Sequence, residues 1–314
     1  MTYHALAYYL FTPIENPREL VDQHHAFMEG KEITCRVYIS EEGINGQMSA
    51  SIEASEAYRQ WLHSDPRFKD VVFKIHLCSE LVFPRAIVKY RKQLVALDEK
   101  VDLSLTGEHV SPDRWRALLE QRDENTLLLD VRNDYEWEIG HFKGAELPVL
   151  ENFREFPAYA KKLKSQRDPK ETKVMMYCTG GIRCELYSAL LKKEGFEQVF
   201  QLDGGVINYG LQEKGKHWDG KLFVFDDRMA VPLGEEQEVE VISHCCHCGE
   251  LSDVYYNCSN MDCNELFLCC SSCAEEWKGC CGEACQTAPR MRPFQATDRP
   301  KPFRRKHHYH VEPG

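Results

Sequence analysis

Several features that would take the chain out of the ordinary globular class are missing from its 314 residues. No stretch approaches the roughly 20 consecutive apolar residues that a membrane-spanning helix needs, so we expect no membrane association. The first residues carry no basic segment before their apolar run and no small-residue cleavage site, which predicts a cytoplasmic protein. Hydrophobic residues make up 43% of the chain and charged residues 28%. This balance excludes a mainly disordered or fibrous protein.

An overall positive charge is also missing, because the formal net charge is −11. This excludes a general nucleic-acid coat but leaves room for local basic patches. Residues 81–97 contain no acid, and they hold Phe83, Tyr90 and four basic side chains, Arg85, Lys89, Arg91 and Lys92. Basic groups interleaved with aromatic rings are typical of a surface that binds unpaired RNA bases. A strand with a solvated basic face is the alternative, and the basic tail 287–314 is a second candidate for phosphate contacts.

The alternation of apolar runs with helical stretches predicts an α/β protein of several parts. Residues 1–96 follow a strand–helix–strand order twice, which is typical of a ferredoxin-like α+β domain. From residue 123, short buried strands alternate with helices, which indicates a parallel sheet covered on both faces. The predicted parts are a ferredoxin-like domain at 1–96, a connector and helix at 97–122, a parallel-sheet domain at 123–230, a Cys-rich module at 241–286 and a basic tail at 287–314.

A loop with the features of a nucleophile cradle follows the short apolar run 174–178. Cys178 ends the predicted strand, and a helix begins about five residues later. The loop residues between them are Thr179, Gly180, Gly181 and Ile182, and the glycines leave room for backbone N–H groups to face the sulfur. Arg183 and the positive end of the helix dipole also favour the thiolate, which is the reactive form of cysteine. We therefore predict that Cys178 and Arg183 form a catalytic site.

Three further residues support this prediction. Asp130 and Arg132 follow another buried strand, and we expect them to brace the loop by ion pairing. Cys184 lies six residues after Cys178 at the start of the helix. It could form a disulfide that resolves an oxidised Cys178, although packing of the helix against the sheet is the favoured interpretation.

Cysteine is concentrated in one segment, since 11 of the 15 cysteines lie between residues 245 and 285. Reduced thiols in such density favour metal ligation over disulfides in a cytoplasmic protein. Four pairs have the spacing that tetrahedral zinc requires: Cys245 with Cys248, Cys258 with Cys263, Cys270 with Cys273, and Cys281 with Cys285. Eight thiolates would hold one or two structural zinc ions, with the first and third pairs on one ion and the second and fourth on the other.

Four segments of the middle domain resemble the successive motifs of rhodanese domains. They are LLLDVR from residue 127, GHFKGA from 140, CTGGIR from 178 and LDGG from 202. The loop has four residues between Cys178 and Arg183, as in sulfurtransferases, whereas the related phosphatases have one more. The resemblance implies a rhodanese fold with Cys178 as its nucleophile.

The order of the parts narrows the resemblance further. An N-terminal domain with EEGING at 41–46, then a rhodanese domain and a Cys-rich end, is similar to the rhodanese-type tRNA uridine hydroxylases of the UPF0176 family. That resemblance implies oxygen-dependent conversion of the wobble uridine of certain tRNAs to 5-hydroxyuridine, with molecular oxygen as co-substrate and the tRNA anticodon loop as partner. No flavin fingerprint, haem site or iron triad is visible in the sequence, so the oxygen chemistry rests on the resemblance alone.

Two other functions are compatible with the same residues. A rhodanese-type sulfurtransferase would carry a persulfide on Cys178. A zinc-binding RNA or protein adaptor would use the Cys-rich module and leave the rhodanese fold inactive. The intact Cys178 and Arg183 argue against the adaptor.

Overall fold

The computed structural model describes residues 2–150, 153–234, 239–294, 297 and 300–302. Most of the predicted basic tail therefore lies outside the described residues. Within the described part of the chain, no helix is both long and apolar enough to cross a membrane.

The N-terminal part is a five-stranded sheet with two helices on one face. Its strands follow the order β4-β1-β3-β2-β5, in which β2 and β5 are parallel and the other pairs antiparallel. The elements are β1 (Tyr3–Phe11), α1 (Pro17–Met28), β2 (Ile33–Ser40), β3 (Gly43–Ser51), α2 (Ile52–Ser64), β4 (Lys74–Cys78) and β5 (Ala86–Tyr90). The predicted ferredoxin-like arrangement is confirmed, and β5 adds an edge strand to it.

The alternation of buried and half-buried residues in β2 shows which face of the sheet the helices cover. Cys35, Val37 and Ile39 are fully buried in the core with the helices. The intervening Arg36 and Tyr38 are half-buried on the other face, because successive side chains of a strand point to opposite sides. One face of the sheet is therefore closed by helices, and the second face is free to meet the rest of the protein.

The middle part is a four-stranded parallel sheet with strand order β6-β10-β9-β7, as expected for a rhodanese fold. Separate apolar clusters pack on its two faces. The elements are β6 (Glu108–Val110), α3 (Pro112–Glu120), β7 (Thr126–Asp130), α4 (Asp134–Trp137), β8 (Gly140–Phe142), α5 (Phe156–Gln166), β9 (Lys173–Tyr177), α6 (Ile182–Lys193), β10 (Gln198–Leu202) and α7 (Gly205–Glu213). The segment 97–122, predicted as connector and helix, supplies the edge strand β6 and the covering helix α3.

Among its described residues, the C-terminal part contains short elements only. They are β11 (Trp218–Gly220), β12 (Leu222–Phe223), β13 (Ala230–Val231), β14 (Tyr255–Asn257), β15 (Leu266–Leu268), α8 (Ser271–Glu276) and α9 (Glu283–Gln286). The apolar cluster of the Cys-rich module consists largely of cysteines, with Tyr256 and Phe267 as its large buried side chains. A fold with so little apolar core needs other cross-links.

The free face of the N-terminal sheet lies against the carboxyl ends of the rhodanese strands. Lys74 of β4 donates a hydrogen bond to the Gly180 carbonyl oxygen at 2.8 Å. Tyr9 of β1 donates its hydroxyl hydrogen to Glu185 of α6 at 2.8 Å. In parallel α/β sheets, this end is where ligands bind, so the two parts meet at the predicted active-site loop.

Candidate active site and metal-binding module

The loop after β9 holds the Cys178 sulfur at the start of α6. The Gly181 N–H donates a hydrogen bond to Cys178 Sγ at 3.1 Å, and Gly181 has a φ of 102° that favours glycine. The start of α7 fixes the loop from the other side, since the Val206 N–H donates to the Cys178 carbonyl oxygen at 3.0 Å. A Cβ on Gly205 would lie 2.6 Å from that oxygen, which accounts for the glycine pair of the LDGG segment.

The surroundings of Cys178 favour its thiolate. Burial alone would raise the pKa of this fully buried thiol, but the Cys184 thiol, the Arg183 charge and the backbone N–H groups at 183 and 184 outweigh burial and lower the pKa to about 5. At neutral pH the sulfur is therefore ionised. The ionised sulfur is the form of cysteine that nucleophilic chemistry requires.

Arg183 has a second partner that sequence reasoning missed. Its guanidinium forms a two-pronged pair with the buried carboxylate of Glu136, with Nη1–Oε1 at 2.5 Å and Nη2–Oε2 at 2.8 Å. The Thr179 hydroxyl also donates to Glu136 Oε2, at 2.9 Å. Arg183 thus anchors the loop as well as adding positive charge. The spacing of Asn133 and Glu136, which form a capping box at the start of α4, is a signal from which this acid could have been located in the sequence.

Asp130 and Arg132 form a fully buried ion pair with Nη2–Oδ2 at 2.6 Å. The Arg132 guanidinium also donates to the Glu136 carbonyl oxygen at 3.0 Å and to the Gly140 carbonyl oxygen at 2.6 Å. The pair therefore positions the backbone that carries Glu136, and through Glu136 it acts on the loop.

Cys184 is fully buried, and its side chain contacts Cys178. Burial, followed by the neighbouring Cys178 sulfur, raises the pKa of Cys184 well above its usual value. The two neighbouring thiols thus have opposite pKa shifts, which keep Cys178 ionised and Cys184 protonated. Whether Cys184 also resolves an oxidised Cys178 stays a hypothesis.

The N-terminal sheet adds a lysine that the sequence did not reveal. Lys74 is 6% exposed, its ammonium lies 4.9 Å from the Tyr9 ring centre, and its hydrogen-bond acceptor is the neutral Gly180 carbonyl. Burial lowers the pKa of Lys74 to about 8, while its interactions with Cys178, Asp203 and Glu185 raise it. The group is therefore mainly charged at pH 7, and no carboxylate of the described residues forms an ion pair with it.

The four basic candidates for RNA binding, Arg85, Lys89, Arg91 and Lys92, are all exposed along and beside β5. Arg91 lies over the ring of Tyr38 at 4.8 Å, so the basic strip reaches the free face of the sheet. The prediction that Phe83 offers a stacking surface is wrong, because the ring is 5% exposed and packs with Ala5 and Val82. An apolar ring inside a basic segment had been assigned to the surface on composition alone.

The EEGING segment folds into the turn and first residues of β3. A Cβ on Gly43 would lie 2.1 Å from the Leu10 carbonyl oxygen, and one on Gly46 would lie 2.2 Å from the Tyr8 ring. The glycines thus permit close strand packing. Asn45, between them, is half-buried and lines a cavity beside the loop, together with Thr179 and Gly180.

The Cys-rich module brings the eight predicted ligands into two interleaved sets. The first and third pairs form one set and the second and fourth pairs the other, and the sulfurs within each set all lie within 4.8 Å of one another. The Sγ atoms of Cys248 and Cys270 are 3.7 Å apart, and those of Cys263 and Cys281 are 3.6 Å apart. Tetrahedral zinc with Zn–S of about 2.3 Å needs sulfurs about 3.8 Å apart. Both sets can therefore hold a metal ion.

Three cysteines of the module lie outside these sets. Cys246 is exposed, whereas Cys269 and Cys280 are fully buried in the small apolar cluster. His247 stacks on Trp277 at 4.1 Å, and its Nε2 bonds the Cys280 carbonyl oxygen, which excludes that nitrogen as a ligand. The spacing of the four cysteine pairs in the sequence was therefore enough to identify the eight sulfurs that converge.

The Cys-rich module also contacts the active-site scaffold. The Tyr255 hydroxyl of β14 donates to the Tyr135 carbonyl oxygen, one residue before Glu136. Lys221 and Asp253 form an ion pair at 2.6 Å nearby. The module therefore supports the segment whose carboxylate anchors Arg183.

Three parts of the chain match the models of known protein domains. Residues 3–94 match the UPF0176 acylphosphatase like domain, residues 111–210 the rhodanese-like domain, and residues 219–286 the rhodanase C-terminal domain.

Curated relatives match over nearly the full chain. A tRNA uridine(34) hydroxylase of Protochlamydia amoebophila is 56% identical over 98% of this chain and 96% of its own length. Proteins of the same name from Chlamydia muridarum and Chlamydia pneumoniae are 57% and 54% identical over 97% of this chain, which covers 93% and 94% of them. The resemblance inferred from the sequence is thereby confirmed, and the chain belongs to the tRNA uridine(34) hydroxylase family.

Proposed function

We propose that the protein hydroxylates C5 of the wobble uridine in the anticodon loop of tRNA, with dioxygen as oxidant and Cys178 as the reactive group. The observation that carries this proposal is the buried thiolate of Cys178, held by the Gly181 N–H at 3.1 Å beside Arg183. The full-length similarity to relatives named for this reaction supports the same substrate. A tRNA substrate places the reaction in the cytoplasm.

The overall reaction inserts one oxygen atom into the C5–H bond of uracil. The second atom of dioxygen leaves as water, which takes two electrons and two protons from a reductant such as a dithiol. The protein's residues provide the nucleophile, a positive field and a cavity beside the loop. A thiolate suits this task because it forms covalent adducts with electron-poor ring carbons.

Two routes use the Cys178 sulfur in different ways. In the first, the thiolate bonds to C6 of uracil and leaves negative charge on C5 and O4. Dioxygen then adds at C5 to give a hydroperoxide, and the reductant supplies two electrons and two protons that cleave the O–O bond, leaving a C5 hydroxyl and water. Loss of the C5 proton then expels the thiolate. In the second, the thiolate is first oxidised to a sulfenic acid, and its oxygen passes to C5 while the thiolate is restored. In both, the positive groups of the loop stabilise the developing negative charge.

The metal sets have a structural role in this proposal. We infer that each set holds one zinc ion through four cysteine thiolates, with no position left for substrate. Bound zinc would cross-link a module that has little apolar core. Its action on the site would be indirect, through the hydrogen bond from Tyr255 to the Tyr135 carbonyl oxygen.

The test is nucleoside mass spectrometry of bulk tRNA from a host that lacks its own route to 5-hydroxyuridine. The host would express the wild-type chain or the Cys178→Ala variant at matched soluble levels. We expect 5-hydroxyuridine or its derivatives with the wild-type chain only. If soluble wild-type protein yields none and instead transfers sulfur from thiosulfate, the hydroxylase proposal is wrong and a sulfurtransferase takes its place.

A further inference from the structure

A cavity of about 240 Å³ lies between the free face of the N-terminal sheet and the active-site loop. Its sheet wall includes Arg36 and Gln47, and its loop wall includes Thr179 and Gly180. Ligand sites of α/β proteins lie at this end of the strands, where loops and a neighbouring domain enclose a cleft. The cavity is therefore placed to hold the group on which the loop acts.

Strand register sets the polar wall of this cavity. Arg36 of β2 is directly opposite Gln47 of β3, and Tyr38 is directly opposite Asn45. Their side chains share the face that points away from α1 and α2, because residues two apart on a strand lie on one side. The wall thus presents a guanidinium, two carboxamides and a phenol in adjacent positions.

Three of these groups have no protein partner. Among the residues that the structure describes, the side chains of Arg36, Asn45 and Gln47 make neither a hydrogen bond nor an ion pair, although all three are half-buried. Because these side chains line the cavity, their polar atoms can bond a molecule that enters it. Unsatisfied donors and acceptors that converge on one cavity indicate a polar ligand.

A larger neighbouring cavity of about 440 Å³ shares Gln47 with the smaller one, but Arg36 and Asn45 line only the smaller cavity. Its lining is mostly apolar, and its charged residues Asp226 and Arg228 satisfy each other at 2.5 Å. It reaches the active-site loop only at Thr179. The smaller cavity is therefore the one suited to a polar ligand beside the active-site loop.

The hydrogen-bond donors and acceptors on the sheet wall of the cavity match those of a uracil ring. A carboxamide both donates and accepts, whereas a guanidinium only donates. Uracil presents two carbonyl acceptors and one N3–H donor, so it can satisfy both groups. Cytosine has an amino donor in place of O4, and that donor would face the guanidinium without an acceptor.

We propose that this cavity is the seat of the extruded target uracil, with Gln47 bonding its imide edge and Arg36 donating to its O4 carbonyl oxygen. Enzymes that modify a base take it out of its stack into such a pocket and read its hydrogen-bonding edge there. Arg91 over the Tyr38 ring extends the wall toward the exposed basic strip, which is suited to the neighbouring phosphates. The inference rests on the proposed function, because that function supplies the uracil.

The test measures the binding of the wild-type protein and its variants to two synthetic anticodon stem-loops that differ only in U34 or C34. We expect the wild-type protein to prefer U34 by about tenfold, since a well-placed hydrogen-bonding pair is worth about 1–3 kcal/mol. Gln47→Leu should weaken U34 binding by about tenfold. Arg36→Lys keeps the charge but loses the planar fork, so it should retain overall affinity and lose the preference for U34.

Gln23→Leu is the matched control, because Gln23 is exposed on α1 at the opposite face of the sheet. It should bind both stem-loops as the wild-type protein does. The proposed uracil site would be overturned if the wild-type protein bound the U34 and C34 stem-loops equally well. It would also be overturned if both cavity variants kept the wild-type preference for U34. Failure of the proposed function would be recorded separately, as the absence of 5-hydroxyuridine in tRNA from cells that express the wild-type chain.

Discussion

The rhodanese loop and the Cys-rich module both keep thiols in a defined state, but their surroundings differ. Cys178 is fully buried and meets N–H donors and positive charge, with one protonated thiol beside it. The eight cysteines of the module instead converge in fours, with sulfurs within 4.8 Å of one another. A single sulfur with fixed positive charges around it is prepared to attack a substrate. Four converging sulfurs repel one another as thiolates until a cation joins them.

The two regions are also joined. Tyr255 of the module donates to the backbone next to Glu136, and Glu136 holds both Arg183 and Thr179 of the loop. An apolar cluster that includes Ile139 and Leu268 spans the same boundary. The loop thus carries the reactive sulfur, whereas the module supports the segment that holds the loop. Substitutions can perturb either region separately.

Replacing the loop cysteine should have the largest effect on activity. We expect Cys178→Ser to lower 5-hydroxyuridine formation at least about a thousandfold, as loss of a nucleophile does in other enzymes. The matched control is Cys35→Ala, since Cys35 is equally buried in the N-terminal core and burial raises its pKa to about 11. That control should keep activity within about twofold of wild type. Substantial activity in Cys178→Ser would exclude both thiolate routes.

Metal removal should have the largest effect on structure, and it should be confined to one region. Elemental analysis should find two zinc ions per chain, and structural zinc sites supply on the order of 10 kcal/mol each. After chelation, backbone amides of β14 and β15 should lose protection from hydrogen exchange, whereas those of β9 should keep it. Equal loss of hydrogen-exchange protection in β9 and in the module would contradict the separate roles of the loop and the module. So would the absence of metal from freshly purified protein.

Removing the carboxylate that anchors the loop should destabilise the rhodanese domain. Glu136→Gln leaves the buried Arg183 guanidinium without its anion, and breaking a buried pair costs about 3–5 kcal/mol in the free energy of unfolding. Glu108→Gln is the control, because it breaks an exposed pair with Arg114 that is worth about 0–1 kcal/mol. Denaturant unfolding measures both. Similar small changes in the two variants would show that Glu136 is not an anchor.

The smallest expected effect concerns the charge that the N-terminal domain adds. Lys74→Met should raise the pKa of the Cys178 thiol by about one unit, because it removes an un-neutralised positive charge from the loop. Lys74→Arg should largely restore the wild-type value, and Lys89→Met, on the exposed strand β5, should leave it unchanged. The readout is the pH dependence of Cys178 alkylation, resolved by peptide mass spectrometry. An unchanged pKa in Lys74→Met would remove Lys74 from the site.

The sequence predicted the residues whose role is local. Cys178 and its loop follow a strand and precede a helix, so a short segment contains all the signals. The cysteine pairs that could hold metal were likewise visible, because the two members of each pair lie close together in the chain. Even their interleaving followed from the order of the pairs.

Residues that reach the site across the domain boundary were not predictable in the same way. Lys74 and Arg36 lie on strands of another domain, and no local pattern distinguishes them from surface basic residues. The prediction for Phe83 was wrong in the opposite sense. Composition suggested an exposed ring, whereas packing buries it. Packing of one domain on another decides these roles, and that packing depends on contacts between residues far apart in the chain.

The central claim is that Cys178 is an ionised thiol at neutral pH, and its alkylation rate by iodoacetamide between pH 4 and pH 10 tests it directly. The thiolate reacts, so the rate constant follows its fraction. Since the pKa of Cys178 is lowered to about 5, we predict a rate that is constant above about pH 6 and falls by half near pH 5. Cys35, measured in the same samples, should react appreciably only as the pH approaches 10, because burial raises its pKa to about 11. A Cys178 rate that climbs through pH 8 to 9, as for an ordinary thiol, would contradict the account.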